Sequence, residues 1–105
     1  FCYVKNIVQM NILSAVNGEQ ARNQIFNVAC GTNTSLNALF EILKNVLSLE
    51  GIKYDKAPNY LSPRKGDIEH SLANISKAKN TLNYVPEFNV LSGVKRTAPW
   101  ILERI

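Results

Sequence analysis

One short stretch of this 105-residue sequence combines residue types that could bind a phosphorylated ligand. It runs from Pro63 to Asp67 and includes Arg64 and Gly66. The guanidinium of Arg64 can donate two parallel hydrogen bonds to phosphate oxygens, and Gly66 lets the backbone approach a ligand closely. The carboxylate of Asp67 can accept hydrogen bonds from sugar hydroxyls. Because an ordinary solvated turn has the same composition, the residue types alone leave both interpretations open.

The other residues with reactive side chains form no catalytic or metal-binding pattern. The single histidine, His70, has no evident catalytic partner, so we expect it to be packed or at the surface. Ser35 stands where a helix should begin, which favours helix capping over nucleophilic catalysis. Cys2 and Cys30 lack the spacing of a zinc site, and we expect no bound metal. Both are predicted to be free thiols in a reducing compartment, the cytoplasm.

Nucleotide-cofactor loops are recognised by closely spaced glycines. The five glycines stand at positions 18, 31, 51, 66 and 93. These positions match neither a dinucleotide fingerprint nor a P-loop, so no cofactor loop is predicted in this chain.

Four segments have the apolar spacing and end signals of helices. The first covers residues 4–16, with an apolar face of Val4, Ile7, Val8, Ile12 and Ala15. The second follows a cap at Thr34 or Ser35 and ends before Gly51. The third runs from a cap at Asn74 to Leu82, with Asn83 as a left-handed stop. The last starts near Asn89, and Pro99 is expected to kink or split it.

Three segments are predicted to be strands, residues 24–29, 52–54 and 67–73. Alternation in the third strand would place Asp67 and Ser71 on the same face. A loop over residues 58–66 precedes it. Helices packed beside a few short strands define a mixed α/β (α+β) fold.

Composition limits what the chain can be. With 46% hydrophobic and 19% charged residues it is globular, and at this length a small lobe is expected rather than a self-contained enzyme cleft. The net charge of +4 is scattered, which favours a solvated surface and no nucleic-acid partner. No signal peptide and no apolar run of about 18 residues is present, so no membrane association is predicted. Because Phe1 falls within an apolar pattern, we expect the chain to be part of a longer protein.

Three stretches, residues 1–9, 26–36 and 64–78, together resemble the carboxy-terminal part of the extended short-chain dehydrogenase/reductase family. Leu82 to Pro86, Gly93 and Trp100 continue the resemblance in order. Residues 66–78 are similar to a signature of the bacterial UDP-N-acetylglucosamine 4-epimerase group within this family. The resemblance covers nearly the whole chain.

The resemblance implies how this chain would fit into a complete enzyme. Members of the family bind NAD on an amino-terminal Rossmann domain and hold a nucleotide sugar with a carboxy-terminal lobe. Residues 1–105 resemble that single substrate-binding lobe, without the Rossmann half. The family's catalytic Tyr-x-x-x-Lys is absent, because Ile7, Pro58, Arg64 and Phe88 stand four residues after the tyrosines. We therefore expect NAD in the intact enzyme, none bound by this chain, and no catalytic residue within it.

The resemblance also implies roles for individual residues. Arg64 matches the arginine that binds the diphosphate, and Asp67 matches the acidic residue that contacts the ribose. Ser71 matches a position where a bulky tyrosine restricts family members to glucose and galactose forms, so a serine leaves room for an N-acetyl group. Asn74 stands where most members have Asp, which keeps the helix cap.

The function implied is substrate binding for NAD-dependent 4-epimerisation of UDP-N-acetylglucosamine and UDP-N-acetylgalactosamine, with the isolated chain inactive. One alternative is the same lobe of another nucleotide-sugar epimerase, dehydratase or decarboxylase. Another is a small basic binding module with no enzymatic parent. A lobe should expose apolar residues around Phe1 and Tyr3, where the rest of the enzyme docks, whereas a complete module should not.

Overall fold

The computed structural model describes residues 1–105 and contains five α-helices. The helices are α1 (Val4–Val16), α2 (Gly18–Ala21), α3 (Leu36–Leu49), α4 (Ser76–Leu82) and α5 (Val90–Leu102). Helix α2 contacts both α1 and α4, and α3 packs against α5. None of the helices has the length and apolar character needed to cross a membrane.

The predicted mixed α/β fold is wrong for this chain, because no β-strand forms. Residues 24–29, 52–54 and 67–73 are irregular. The only backbone hydrogen bonds to these segments are turn bonds to the residues just before them, as from Gln24 to Ala21. A strand requires a neighbouring strand to satisfy its backbone groups, and none of these segments lies beside another in that way. Phe26, Val28 and Ala29 instead pack against the buried core, whereas Ile25 is exposed.

Side chains hold the irregular segment of residues 24–30 in place. The Lys77 ammonium donates a hydrogen bond to the Ile25 carbonyl at 3.0 Å and lies over the Phe26 ring, 5.0 Å from its centre. The Asn27 amide donates to the Asn74 carbonyl at 3.3 Å. Helix α4 and the two residues before it therefore hold this segment through side-chain contacts, without the backbone hydrogen bonds that pair two strands.

Helix α1 has the predicted bounds but buries a different face. Asn6 and Met10, one turn apart, are buried, and Leu13 packs against the same core. The predicted inner face includes Val4, Ile7, Val8 and Ile12, and all four of these residues are exposed. Asn6 can be buried because its amide pairs with a backbone group on another segment. An apolar stripe is consequently left on the outside of α1.

The helix-capping residues lie largely where the sequence predicted them. The Ser35 hydroxyl accepts a hydrogen bond from the Ala38 N–H at 3.1 Å, and the Asn89 side chain accepts one from Ser92 at 2.8 Å. Asn83 ends α4 with a φ of 55°. These contacts satisfy backbone groups that a helix end leaves free.

Two details of the predicted helices are corrected. Asn74 accepts a hydrogen bond from the Ser76 N–H at 2.9 Å, but α4 begins at Ser76 rather than directly after Asn74. Helix α5 runs through Pro99 without splitting. Pro99 cannot donate to the Lys95 carbonyl, and Lys95 is on the exposed side of the helix, where water can take that role.

The core is small and lies between α1, α4 and the segment of residues 26–29. Its buried apolar members are Met10, Ile75, Ala78, Leu82 and Tyr84. The Tyr84 hydroxyl donates to the Ala29 carbonyl at 3.0 Å. Only 8 of the 105 residues are buried, so most of the apolar side chains remain in contact with solvent.

Candidate functional site

Arg64 and Asp67 lie at the two ends of one tight turn. The Asp67 N–H donates to the Arg64 carbonyl at 3.1 Å, and Gly66 has a φ of +91°, which disfavours any residue with a Cβ atom. The Asp67 carboxylate accepts hydrogen bonds from the Arg64 backbone N–H at 3.2 Å and from its Nε at 3.3 Å. Backbone and side-chain contacts together close the turn.

The Arg64 side chain is 87% exposed. Its Nε pairs with Asp67, whereas its two terminal nitrogens form no hydrogen bond within the chain. An exposed ion pair of this kind adds at most about 1 kcal/mol to stability, so its main effect is to orient the guanidinium. The turn thus offers two parallel N–H donors to an anion, the geometry that phosphate oxygens match.

The third predicted site residue, Ser71, is not brought together with this turn. It is exposed, lies in an irregular segment and forms no side-chain hydrogen bond. The predicted strand face shared with Asp67 does not exist, because residues 67–73 have no pairing partner. His70 is likewise exposed, one of the two positions expected for it.

The turn and Ser71 belong to a long exposed connection, residues 51–72. Two side-chain contacts attach this connection to α3. The Tyr60 hydroxyl donates to the Asn37 side chain at 3.1 Å, and the Tyr54 ring meets the Phe40 ring edge-to-face with centres 6.2 Å apart. The connection carries the turn of Arg64 and Asp67 and Ser71, and all of its residues are exposed.

An apolar cavity of about 390 Å³, missed in the sequence analysis, lies between α3, α5 and the first residues of the chain. Phe1, Tyr3, Leu43, Val94 and Ile101 are among its lining residues. The apolar spacing of α3 and α5 predicts helices, and spacing alone could not show that the packing between them is incomplete. With no charged residue in its lining, the cavity suits apolar groups rather than a diphosphate.

A cluster of Cys2, Asn6 and Cys30 was also missed. The Asn6 amide nitrogen donates to the Phe88 carbonyl at 2.7 Å and lies 3.9 Å from the Cys2 sulfur and 3.5 Å from the Cys30 sulfur. The Asn6 amide oxygen accepts from the Phe88 N–H at 3.0 Å. The only sequence signal was a polar residue one turn before Met10, which the apolar pattern of α1 concealed. Both cysteines are free thiols, as predicted.

Burial raises the pKa of the Cys2 thiol, and the neighbouring Cys30 thiol raises this pKa further. Burial also raises the pKa of Tyr84 to about 12, with smaller contributions from the same two thiols. Cys2 and Tyr84 therefore remain protonated and uncharged at neutral pH.

The described side chains include no group of three or more His, Cys, Asp or Glu residues that could hold a metal ion. The fold of these residues also does not match a binding site for NAD. The dinucleotide site of a Rossmann domain needs a strand, a glycine-rich turn and a helix in succession, and this helical chain has no strand.

No family model matches the sequence. Several curated proteins are similar to the sequence, and each of them is longer than this chain. A Methanocaldococcus jannaschii protein named "Putative UDP-glucose 4-epimerase" is 33% identical over 102 residues, which cover 96% of this chain and 30% of that protein. A UDP-glucuronate 4-epimerase of Thermodesulfobacterium geofontis is 33% identical over 106 residues, covering 100% of this chain and 30% of that protein.

A third relative is UDP-glucuronate 4-epimerase 3 of Arabidopsis thaliana, which is 30% identical over 82 residues, 78% of this chain and 18% of the plant protein. The chain spans about 30% of the length of the first two relatives. It is therefore similar, along nearly its whole length, to one part of proteins named as UDP-sugar 4-epimerases.

Proposed function

We propose that this chain is the nucleotide-sugar-binding, carboxy-terminal lobe of an NAD-dependent 4-epimerase acting on UDP-N-acetylglucosamine and UDP-N-acetylgalactosamine. The observation that carries the proposal is the similarity across 96% and 100% of the chain to two named UDP-sugar 4-epimerases. The remaining part of such an enzyme would carry the Rossmann domain, NAD and the catalytic tyrosine and lysine. This lobe would bind and orient the UDP-sugar.

The apolar surface supports a role as one part of a larger protein. Phe1 is 61% exposed, Tyr3 is half-buried, and both line the apolar cavity, as expected of a lobe that docks on another domain. The outer stripe of α1 exposes further apolar side chains. The radius of gyration is 16.9 Å, whereas a compact domain of this length is expected to have a radius of gyration of about 13 Å. A small basic module that folds as a complete unit should not have these features.

The turn of Arg64 and Asp67 supplies the chemistry for the diphosphate. Its terminal guanidinium nitrogens are unpaired and exposed, and a bidentate contact to phosphate would use both of them. Asp67 already holds Nε, so part of the side-chain entropy is lost before the ligand arrives. The small exposed Ser71 would leave space beside the sugar for an acetamido group.

A second candidate is a 4-epimerase for UDP-glucose or UDP-glucuronate, because these sugars appear in the names of the relatives. The two candidates share the diphosphate and the ribose, so they differ only at the sugar. A substitution at Arg64 therefore tests the shared binding role, and one at Ser71 tests the choice of sugar.

Replacing Arg64 with Leu in the full-length enzyme should weaken binding of UDP-N-acetylglucosamine by about 1.5–3 kcal/mol, the range for charge-assisted hydrogen bonds. Isothermal titration calorimetry measures this loss. The matched control is Arg22→Leu, because Arg22 is also exposed and pairs with an acidic residue three positions away, at 3.0 Å from Glu19. The control should bind normally, and both variants should keep wild-type stability.

Equal affinity of Arg64→Leu and Arg22→Leu would rule out a diphosphate role for Arg64. An Arg64→Leu variant that unfolds, with normal binding by the fraction that remains folded, would make Arg64 a structural turn residue.

A further inference from the structure

Cys2 and Cys30 are 28 positions apart in sequence but share one hydrogen-bond donor, the buried amide of Asn6. This amide is fixed by two hydrogen bonds to the Phe88 backbone, at 2.7 and 3.0 Å. The two sulfurs are therefore held beside the same rigid point rather than on independent flexible segments. The effect of the Cys30 thiol on the pKa of Cys2 reflects the same proximity.

The two thiols differ in their access to solvent. Cys2 is exposed, whereas Cys30 is partly buried and its thiol is directed at the Phe88 carbonyl, 3.5 Å away. An external reagent therefore reaches Cys2 first. Cys30 is placed to react next, with whatever becomes attached to Cys2.

We propose that Cys2 and Cys30 are a redox-active pair in which a small-molecule disulfide oxidises the two thiols to one intrachain disulfide. The Cys2 thiolate attacks a sulfur of the reagent, and the broken disulfide bond releases one thiolate. The Cys30 thiolate then attacks the Cys2 sulfur of the mixed disulfide and releases the second thiolate. The two protein thiols lose two electrons to the reagent, and their two protons end on the two released thiols.

The disulfide would link Cys2, two residues before the first residue of α1, to Cys30 at the end of the irregular segment of residues 24–30. That segment has no strand partner and depends on side-chain contacts for its position. A covalent link would replace weak contacts through Asn6 by one bond and restrict the motion of the segment. Because the pKa of Cys2 is raised, little thiolate is present at neutral pH, and the reaction should accelerate as the pH rises.

The test treats the purified protein with glutathione disulfide and maps the cysteine peptides by mass spectrometry without reduction. In the wild type we expect a peptide joining Cys2 to Cys30, loss of both titratable thiols, and reversal by dithiothreitol. In Cys30→Ser, glutathione should remain attached to Cys2, because no second thiol displaces it. In Cys2→Ser, glutathione disulfide should react with Cys30 at least about tenfold more slowly than it reacts with Cys2 in Cys30→Ser, since Cys30 is partly buried.

Three results would overturn the proposal. They are glutathione retained on both cysteines of the wild type, disulfides that form only between two chains, and equal modification rates in the two serine variants. Circular dichroism of each variant before oxidation shows whether the fold is kept, so a folding defect is distinguishable from a failure of the thiols to pair.

Discussion

The side chain at position 71 is open to solvent and makes no hydrogen bond, so a larger residue fits there without disturbing the core. Under the proposed function, Ser71→Tyr in the full-length enzyme fills the space that an acetamido group requires. The ratio of kcat/KM for UDP-N-acetylglucosamine to that for UDP-glucose should fall at least about tenfold, or about 1.4 kcal/mol of differential transition-state binding.

The control for this substitution is Ser48→Tyr, which introduces the same side chain at an exposed position on α3. Its ratio should equal that of the wild type. If a folded and active Ser71→Tyr variant also keeps the wild-type ratio, Ser71 does not contact the sugar, and the relatives' sugars become the better proposal.

The ionisation of Tyr84 should make the free energy of unfolding depend on pH in the alkaline range. Its side chain is fully buried, and burial raises its pKa from the ordinary 10.0 to about 12. The unfolded chain ionises above pH 10 while the folded chain stays protonated. The stabilisation by Tyr84 is therefore complete below about pH 10 and is lost between about pH 10 and 12, a fall of about 3 kcal/mol.

This fall is measured by urea denaturation across that pH range, for the wild type and for Tyr84→Phe. The variant loses the hydrogen bond to Ala29, about 1 kcal/mol at neutral pH, but its stability should decrease less with pH. Tyr60→Phe is the control, because it removes the same hydroxyl group from a tyrosine that is 72% exposed rather than buried. Parallel pH profiles for Tyr84→Phe and the wild type would show that Tyr84 ionises normally in the folded state.

Helix α5 lies close to the residues before α1. This close packing depends on Gly93, because glycine has no side chain. A Cβ atom there would lie 2.8 Å from Tyr3 Cβ and 3.0 Å from Tyr3 Cγ. Tyr3 also packs edge-to-face on Phe88, with ring centres 5.2 Å apart, so it cannot move freely. Gly93→Ala should lower the free energy of unfolding by about 1–3 kcal/mol.

Gly18→Ala is the matched control, since Gly18 is also helical and nothing lies within 4 Å of its added Cβ. This variant should be neutral or stabilised by up to about 1 kcal/mol, because alanine favours helix. Urea denaturation gives both values. Equal stability of the two variants would mean that α5 does not pack closely on Tyr3.

The helices were predictable from sequence because their signals are local. Ser35, Asn83 and Asn89 satisfy backbone groups within a few residues of themselves, so capping rules identify the ends. The strands were not predictable, because neither the bulky residues of 24–29 nor the alternation in residues 67–73 says anything about a pairing partner. The buried face of α1 was missed for a similar reason, since the partner of Asn6 lies at Phe88.

The candidate site was predictable only in part. Arg64, Gly66 and Asp67 are close in sequence, so their residue types sufficed to identify a candidate anion-binding stretch, but Asp67 was assigned to a strand and instead closes a turn with Arg64. The cysteine cluster and the apolar cavity join segments that are distant in sequence, and no spacing rule describes such contacts. The relation of Ser71 to the turn depended on a strand that does not form.

At the scale of the whole molecule, the chain has more apolar surface than its small core can use. Apolar side chains are exposed along α1 and around the cavity between α3 and α5, and the turn of Arg64 and Asp67 lies on the exposed connection of residues 51–72. Under the proposed function, packing on another domain would complete the core and the walls of the ligand site. The relatives are long enough to supply that domain.

The most direct test of this account is an assay of UDP-N-acetylglucosamine epimerisation in the presence of NAD. It compares the full-length protein with residues 1–105 expressed alone, and chromatography resolves the two UDP-N-acetylhexosamines. The account predicts interconversion by the full-length protein and none by residues 1–105, which lack both the NAD site and the Tyr-x-x-x-Lys pair. Turnover by residues 1–105, or a folded full-length protein that epimerises no UDP-sugar, would contradict it.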